Sequence, residues 1–159
     1  MKILLLSVGT IKKSYMSSAI EDYLKRIKRY TPLDVLSVKD ETLSVKMPRG
    51  DVLKREGARI AAKLKDGDYI ISLTDSGEGF TSHKFSEKIE RILASTGITA
   101  RRIVFIVGGA YGLDEDIIAR SNISLSLSKM TLPHELARLV LAEQIYRAFT
   151  IMRSEPYSH

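Results

Sequence analysis

The sequence predicts a single α/β domain spanning residues 1–159, with a mainly parallel sheet flanked by helices. Two observations predict it. Apolar runs rich in β-branched residues alternate with amphipathic stretches of three- and four-residue period, in the order βαβαβαβαβα. Glycines gather where strands end, at Gly9, at Gly77 and Gly79, and at Gly108-Gly109. In parallel sheets that edge is where small molecules bind, and glycine lets the backbone turn sharply there.

Ile3–Val8 is the first predicted strand, closed by Gly9. Its apolar start is too short for a leader peptide, and an amphipathic helix follows it. That helix is predicted over Ser14–Tyr30, with Met16, Ile20, Tyr23, Ile27 and Tyr30 on one side. Lys25, Arg26, Lys28 and Arg29 crowd its last turns, where cations complement the dipole or contact phosphates. Leu33–Val38 is the second strand, and Lys39–Gly50 a polar, mobile connection. Asp51–Lys65 is the second helix, apolar along Leu53, Gly57, Ile60 and Leu64 and basic along Lys54, Arg55, Arg59 and Lys63. A turn at 66–68 leads into the third strand, Tyr69–Leu73, and a glycine-rich loop over Thr74–Gly79.

Ser82–Ala94 is the third helix, with Gly97 just past its end. Ile103–Val107 reads as a strand buried on both faces. Gly108, Gly109 and Gly112 follow, then a short helix led by Asp114, Glu115 and Asp116. Ser124–Leu127 is the last strand, and residues 127–132 form a tight loop offering backbone amides and carbonyls at the same edge. The final helix, Pro133–Met152, has Thr131 as its expected cap. It carries two opposed apolar faces: Leu136, Leu139 and Val140 on one, and Leu141, Ala142, Ile145, Ala148, Phe149 and Met152 on the other. A surface helix needs one such stripe, so either a second subunit covers the other, the simpler reading, or the helix is buried inside one domain. Glu143 and Arg147 are spaced to pair.

The chain has no cysteine, so disulfides and thiolate zinc sites are excluded. No apolar run is long enough for a transmembrane helix, and a cytoplasmic protein is expected. The net charge of +6 is uneven: basic residues exceed acidic ones by eight within 1–65, and acidic exceed basic by two within 66–159. A basic half beside a near-neutral half points to a polyanion such as nucleic acid, although a solvated lysine-rich surface gives the same count. His83, His134 and His159 have no metal-ligand spacing. Neither a GxxxxGK[ST] loop, a GxGxxG turn nor a GxSxG elbow is present. What remains is a ligand held by backbone and a reaction that needs mainly positioning. Methyl transfer is such a reaction, because the donor's methyl is already activated and displacement needs an in-line approach.

One ordered set of segments narrows this further. Val107-Gly108-Gly109 with Gly112-Leu113, Leu125 through His134, Glu143-Gln144-Ile145-Tyr146-Arg147-Ala148, and Pro156-Tyr157 together resemble the ribosomal RNA large subunit methyltransferase H family of the SPOUT superfamily. The likeness runs nearly end to end and includes Val8-Gly9 and Leu73. It implies a fold with a carboxyl-terminal trefoil knot, an exception to unknotted topology. It implies a homodimer that uses S-adenosyl-L-methionine to methylate N3 of a pseudouridine in 23S ribosomal RNA, on the assembled ribosome. Carried over, Leu73, Gly108, Leu127, Ser128, Lys129, Met130, Thr131 and Leu132 would line the donor pocket. Gly108 and Gly109 have an ordinary reading as a tight turn, Lys129 as a solvated loop lysine, and His134 as a local hydrogen-bond partner. Arg147 and Tyr157 would complete a composite site, the tail of one subunit reaching the other's cofactor. Arg147 would stabilise the anion developing at N3, Tyr157 would position the base, and His159 or solvent would take the proton. The tail departs from the family's usual Pro-Tyr-His-basic pattern: Ser158 stands where histidine is usual, and His159 where Lys or Arg is. A transfer RNA methyltransferase of the same superfamily and a non-catalytic ribosome-binding module are the alternatives.

Overall fold

A computed structural model describes residues 1–12, 14–42, 47–96 and 102–157. Five strands and five helices alternate: β1 (Lys2–Val8), α1 (Ser14–Ile27), β2 (Leu33–Val38), α2 (Arg49–Ala61), β3 (Asp68–Gly79), α3 (Ser82–Thr96), β4 (Arg102–Val107), α4 (Glu115–Ala119), β5 (Ile123–Ser126) and α5 (His134–Met152). The strands form one parallel sheet in the order β2-β1-β4-β3-β5. β4 lies at its centre, which explains its unbroken apolar run: Ile103, Val104, Phe105 and Ile106 are fully buried.

Each face of the sheet carries its own core. On one, Ile3, Ile71, Ile103 and Phe105 meet Ile27 of α1, Ile89 of α3 and Ile145 and Phe149 of α5. On the other, Leu4, Leu6, Val104 and Ile106 meet Ile60 of α2 and Ile117 of α4. The expected helix layers on both faces are therefore present. Arg138, itself buried, fixes the start of α5 to the end of β1 by donating to the Val8 carbonyl. At the opposite end of the sheet, Arg102 Nε donates to the buried Asp68 at 2.6 Å, tying β4 to β3.

Several boundaries differ from the sequence expectation. α1 stops at Ile27 and gives way to turns ahead of Pro32. α2 begins inside the expected connection, at Arg49 behind Pro48, whose fixed φ suits a helix entry. The largest correction concerns 74–79. Instead of ending in a loop, β3 runs on to Gly79, with a register shift in which Leu73 and Glu78 both pair with Leu125. The residues between them bulge out over β5. Gly77 permits this, because a Cβ there would lie 2.6 Å from the Ser124 carbonyl oxygen. At α5 the N-cap is Pro133, with no side-chain cap bond; Thr131 sits too far ahead to serve. Gly97 lies outside the described residues.

Candidate cofactor cavity and tail cluster

The carboxyl ends of β3, β4 and β5 surround a cavity of about 530 Å³, in the range of small-molecule sites. Three strand-end segments form most of its lining, Leu73 to Ser76 from the β3 bulge, Val107 to Leu113 at and after β4, and residues after β5 that continue to His134 and Ala137; Arg49 and Leu53 of α2 and Glu115 and Ile118 of α4 complete it. Of the residues carried over by resemblance, Leu73, Gly108, Leu127, Ser128, Met130, Thr131 and Leu132 all border this space. Lys129 is exposed and does not.

Short-range bonds hold the three segments in place. The Ser126 hydroxyl donates to the carbonyls of Asp75, at 3.2 Å, and Ser128, at 2.9 Å, joining the bulge to the last loop. The Ser128 hydroxyl accepts from the Met130 amide at 2.9 Å. After β4 the chain folds back on itself through a Gly109–Gly112 bridge. A Cβ on Gly108 would lie 2.3 Å from the Gly112 carbonyl oxygen, so the returning backbone itself excludes any side chain. A Cβ on Gly109 would meet Glu56 Oε2 at 2.8 Å. The glycines are required by the protein's own packing, and the shape that results opens the cavity.

The lining is mixed in character. Leu73, Leu127, Leu132 and Met130 supply apolar walls, while Arg49, Asp75 and Glu115 are charged. The Thr74 hydroxyl oxygen is buried and has no hydrogen-bond partner among the described residues. Buried hydroxyls are rarely left so, and this one belongs to a cavity-lining residue. Behind the wall, Glu56 is buried; its Oε1 accepts from the Glu41 amide at 2.9 Å and its Oε2 has no partner among the described residues. Burial, reinforced by Asp40 and Glu41 nearby, raises the Glu56 carboxyl above the ordinary carboxylate range.

Arg147 and Tyr157 are brought together, at a second place. Arg147 donates through Nε at 2.8 Å and Nη2 at 2.6 Å to Glu143 Oε1, the i,i+4 pair expected from the sequence. The Tyr157 hydroxyl donates to the same oxygen at 3.3 Å and lies 3.2 Å from the Tyr23 hydroxyl of α1. The Tyr157 ring packs edge-on against Tyr146 at 4.7 Å. Burial first, then the bond to Tyr23 and the charge of Glu143, push the Tyr157 phenol well above its usual range. The hydrogen bond to Glu143 likewise raises Arg147. This cluster does not border the cavity. Arg147 stands ten residues beyond Ala137 on α5, roughly 15 Å along the axis. His159, like Ser158, lies outside the described residues.

Four residues at these two places escaped the sequence reading. Tyr23 looked like one more apolar residue of a helix face. Arg49 was hidden in a polar connection, with only Pro48 to signal a helix start. Tyr111 and Thr74 carried no signal beyond their places in glycine-bearing loops.

Comparison with known proteins is consistent along the whole chain. A family model described as "Predicted SPOUT methyltransferase" matches residues 1–159. Proteins named "Ribosomal RNA large subunit methyltransferase H" are similar at 39% identity in Enterococcus faecalis and 42% in both Bacillus cytotoxicus and Ruminiclostridium cellulolyticum, each over 99% of this chain and 99% of the relative. Among solved structures, a probable methylase family protein from Haemophilus influenzae Rd KW20 aligns with a TM-score of 0.52 at 12% identity, over 99% of this chain and 70% of that one. That likeness concerns the fold.

Proposed function

The chain belongs to the SPOUT methyltransferase family, among the ribosomal RNA large subunit methyltransferase H proteins, and from that premise we propose that it is a cytoplasmic, homodimeric ribosomal RNA methyltransferase acting on N3 of a pseudouridine in assembled ribosomes. The observation that carries this reading is the convergence of three strand-end segments on one ligand-sized cavity with a buried, unpartnered hydroxyl.

The cavity suits S-adenosyl-L-methionine in size and in its donor set. When bound, that molecule supplies a methyl group already activated on a sulfonium. Leu73, Gly108 and the 127–132 loop would hold it, largely through backbone, with apolar walls for an aromatic base. The Thr74 hydroxyl would gain a partner, and Asp75 and Glu115 put negative charge beside a cationic ligand. The protein then has to orient the acceptor and dispose of one proton.

N3 of pseudouridine lies between two carbonyls and is weakly acidic, so charge that develops as its proton leaves spreads onto oxygen. Arg147 would stabilise that charge, with Glu143 holding its guanidinium in a fixed orientation. Tyr157, kept protonated by its surroundings, is suited to donate a hydrogen bond and position the base. The proton would pass to His159 or to solvent. Because the cluster stands roughly 15 Å along α5 from the cavity of its own chain, the composite site requires a second subunit. Leu136, Leu139 and Val140, only partly covered within the chain, offer the apolar face for it. The same reading carries a carboxyl-terminal trefoil knot; the close backbone approach of Gly77 to Ser124, far off in the chain, is compatible with it.

The test is transfer of labelled methyl from S-adenosyl-L-methionine to three unmodified substrates. Label in assembled ribosomes, with little in free 23S RNA or transfer RNA, is the expected result. Label in transfer RNA would place the activity elsewhere in the superfamily. No label from a folded, cofactor-binding dimer would mean a non-catalytic ribosome-binding protein.

A further inference from the structure

We propose that Arg49 and Tyr111 form a nucleotide-receiving clamp at the mouth of the cavity, Tyr111 stacking on a base of a single-stranded RNA segment and Arg49 contacting a neighbouring phosphate. The inference rests on the methyltransferase reading and names where the acceptor strand enters.

Both residues border the cavity, and they touch. Arg49 Nη2 donates to the Tyr111 carbonyl at 3.2 Å, and its guanidinium carbon lies 5.5 Å from the centre of the Tyr111 ring. Tyr111 is 37% exposed, although it sits within the turn that closes the site. That turn is firmly built. The Gly112 amide donates to the Gly109 carbonyl at 3.1 Å, and Gly112 adopts φ +88°, a conformation few other residues take. The ring is thus held partly exposed at the surface by a rigid loop, with the Arg49 guanidinium over it. An aromatic face offered this way can stack on any unpaired base, which is how single-stranded RNA is commonly held.

The arginine supplies the second half of the argument. Among the described residues its one hydrogen bond goes to a neutral carbonyl and no carboxylate forms an ion pair with it, so its charge remains available to an anion. Arg49 also opens α2, whose exposed side continues with Lys54 and with Arg55, the latter 3.9 Å from Glu41, and exposed Lys63 follows in the turn after the helix. A cationic helix that begins at the mouth of the cavity suits a phosphodiester chain leading into it. The other basic helix, α1, packs on the opposite face of the sheet, and its Arg26 is engaged by Asp22 and the rings of Tyr23 and Tyr146.

The experiment measures steady-state transfer to unmodified ribosomes and calorimetric affinity for S-adenosyl-L-methionine in parallel, for the wild type and Tyr111→Ala, Tyr111→Trp, Arg49→Ala and Arg49→Lys, with each variant's oligomeric state checked by sedimentation. Tyr111→Ala should raise the KM for ribosomes by about 5- to 100-fold while cofactor affinity stays within about twofold, and Tyr111→Trp should recover most of that loss. Arg49→Ala should weaken ribosome binding and lower the slope of its salt dependence by about one, and Arg49→Lys should restore the slope. An unchanged KM in Tyr111→Ala overturns the clamp and leaves the methyltransferase reading intact. So does a parallel loss of cofactor affinity, or a loss of the oligomer, which would make the ring a cofactor contact or a subunit contact. A wild type that labels no ribosomal RNA defeats the methyltransferase reading, and the clamp with it.

Discussion

The guanidinium of Arg147 lies 4.9 Å over the ring of Tyr157, and both side chains reach the same oxygen of Glu143. One carboxylate therefore sets the position of an arginine in the middle of the last helix and of a tyrosine in the tail that follows it. Glu143→Ala should slow methyl transfer by about 10- to 100-fold, because small displacements of positioning groups cost that much. Cofactor affinity should stay within about twofold, since the cluster does not border the cavity. Single-turnover transfer and calorimetry on the same preparation check both halves.

Thr74 makes a prediction of opposite signs. Its hydroxyl is buried without a partner among the described residues, so Thr74→Val should raise the Tm of the unliganded protein. The same change should weaken S-adenosyl-L-methionine about fivefold, the loss of one hydrogen bond, and Thr74→Ser should restore affinity. A variant less stable than the wild type would show that the hydroxyl is satisfied in the free protein.

Much of this was legible in the sequence for physical reasons. A strand buried on both faces must be apolar throughout, so β4 declared itself, and the amphipathic period gave the helix layers. The two apolar faces of α5 were equally plain. The bulge in β3 was not, because its register depends on pairing with β5, which is far off in the chain, and a glycine-rich stretch reads locally as a loop. The tail cluster was only half visible. Glu143 and Arg147 are neighbours on one helix, whereas Tyr23 and Tyr157 meet only because α1 packs on α5. The donor-pocket residues came from resemblance, and the common place of all but Lys129 around one cavity follows from the fold.

Glu56 gives a pH signature. Burial raises its folded-state pKa above the unfolded value, so folding favours the protonated form. Its contribution to stability is fully present below the unfolded pKa and is lost as pH rises through the raised one. Glu56→Gln, which keeps the oxygen that accepts from the Glu41 amide, should therefore melt above the wild type at neutral pH, with the gap closing as pH falls toward the ordinary carboxylate range. Tyr30 shows the same sign at the alkaline end. Burial and its bond to Glu155 push it up to about 12, so its contribution should fade between its ordinary value and that pH. Thermal melts across the pH range read both.

The second face of α5 should be tested by complementation. Leu139→Asp should yield monomers that bind the cofactor and transfer no methyl. Leu73→Arg, which fills the cavity, and Tyr157→Ala, which removes the tail ring, should each be inactive as homodimers. Co-expressed, they should recover roughly a quarter of wild-type activity, one competent site in each mixed dimer. No recovery would mean that cavity and tail serve within one chain.

The most direct measurement is nucleoside analysis, by mass spectrometry, of 23S RNA from ribosomes that lack the modification but retain the pseudouridine, after incubation with this protein and S-adenosyl-L-methionine. One 3-methylpseudouridine per ribosome, absent when Arg147→Ala replaces the wild type, is the predicted result. A methyl group on any other nucleoside, or none in the presence of a cofactor-bound dimer, would contradict the account.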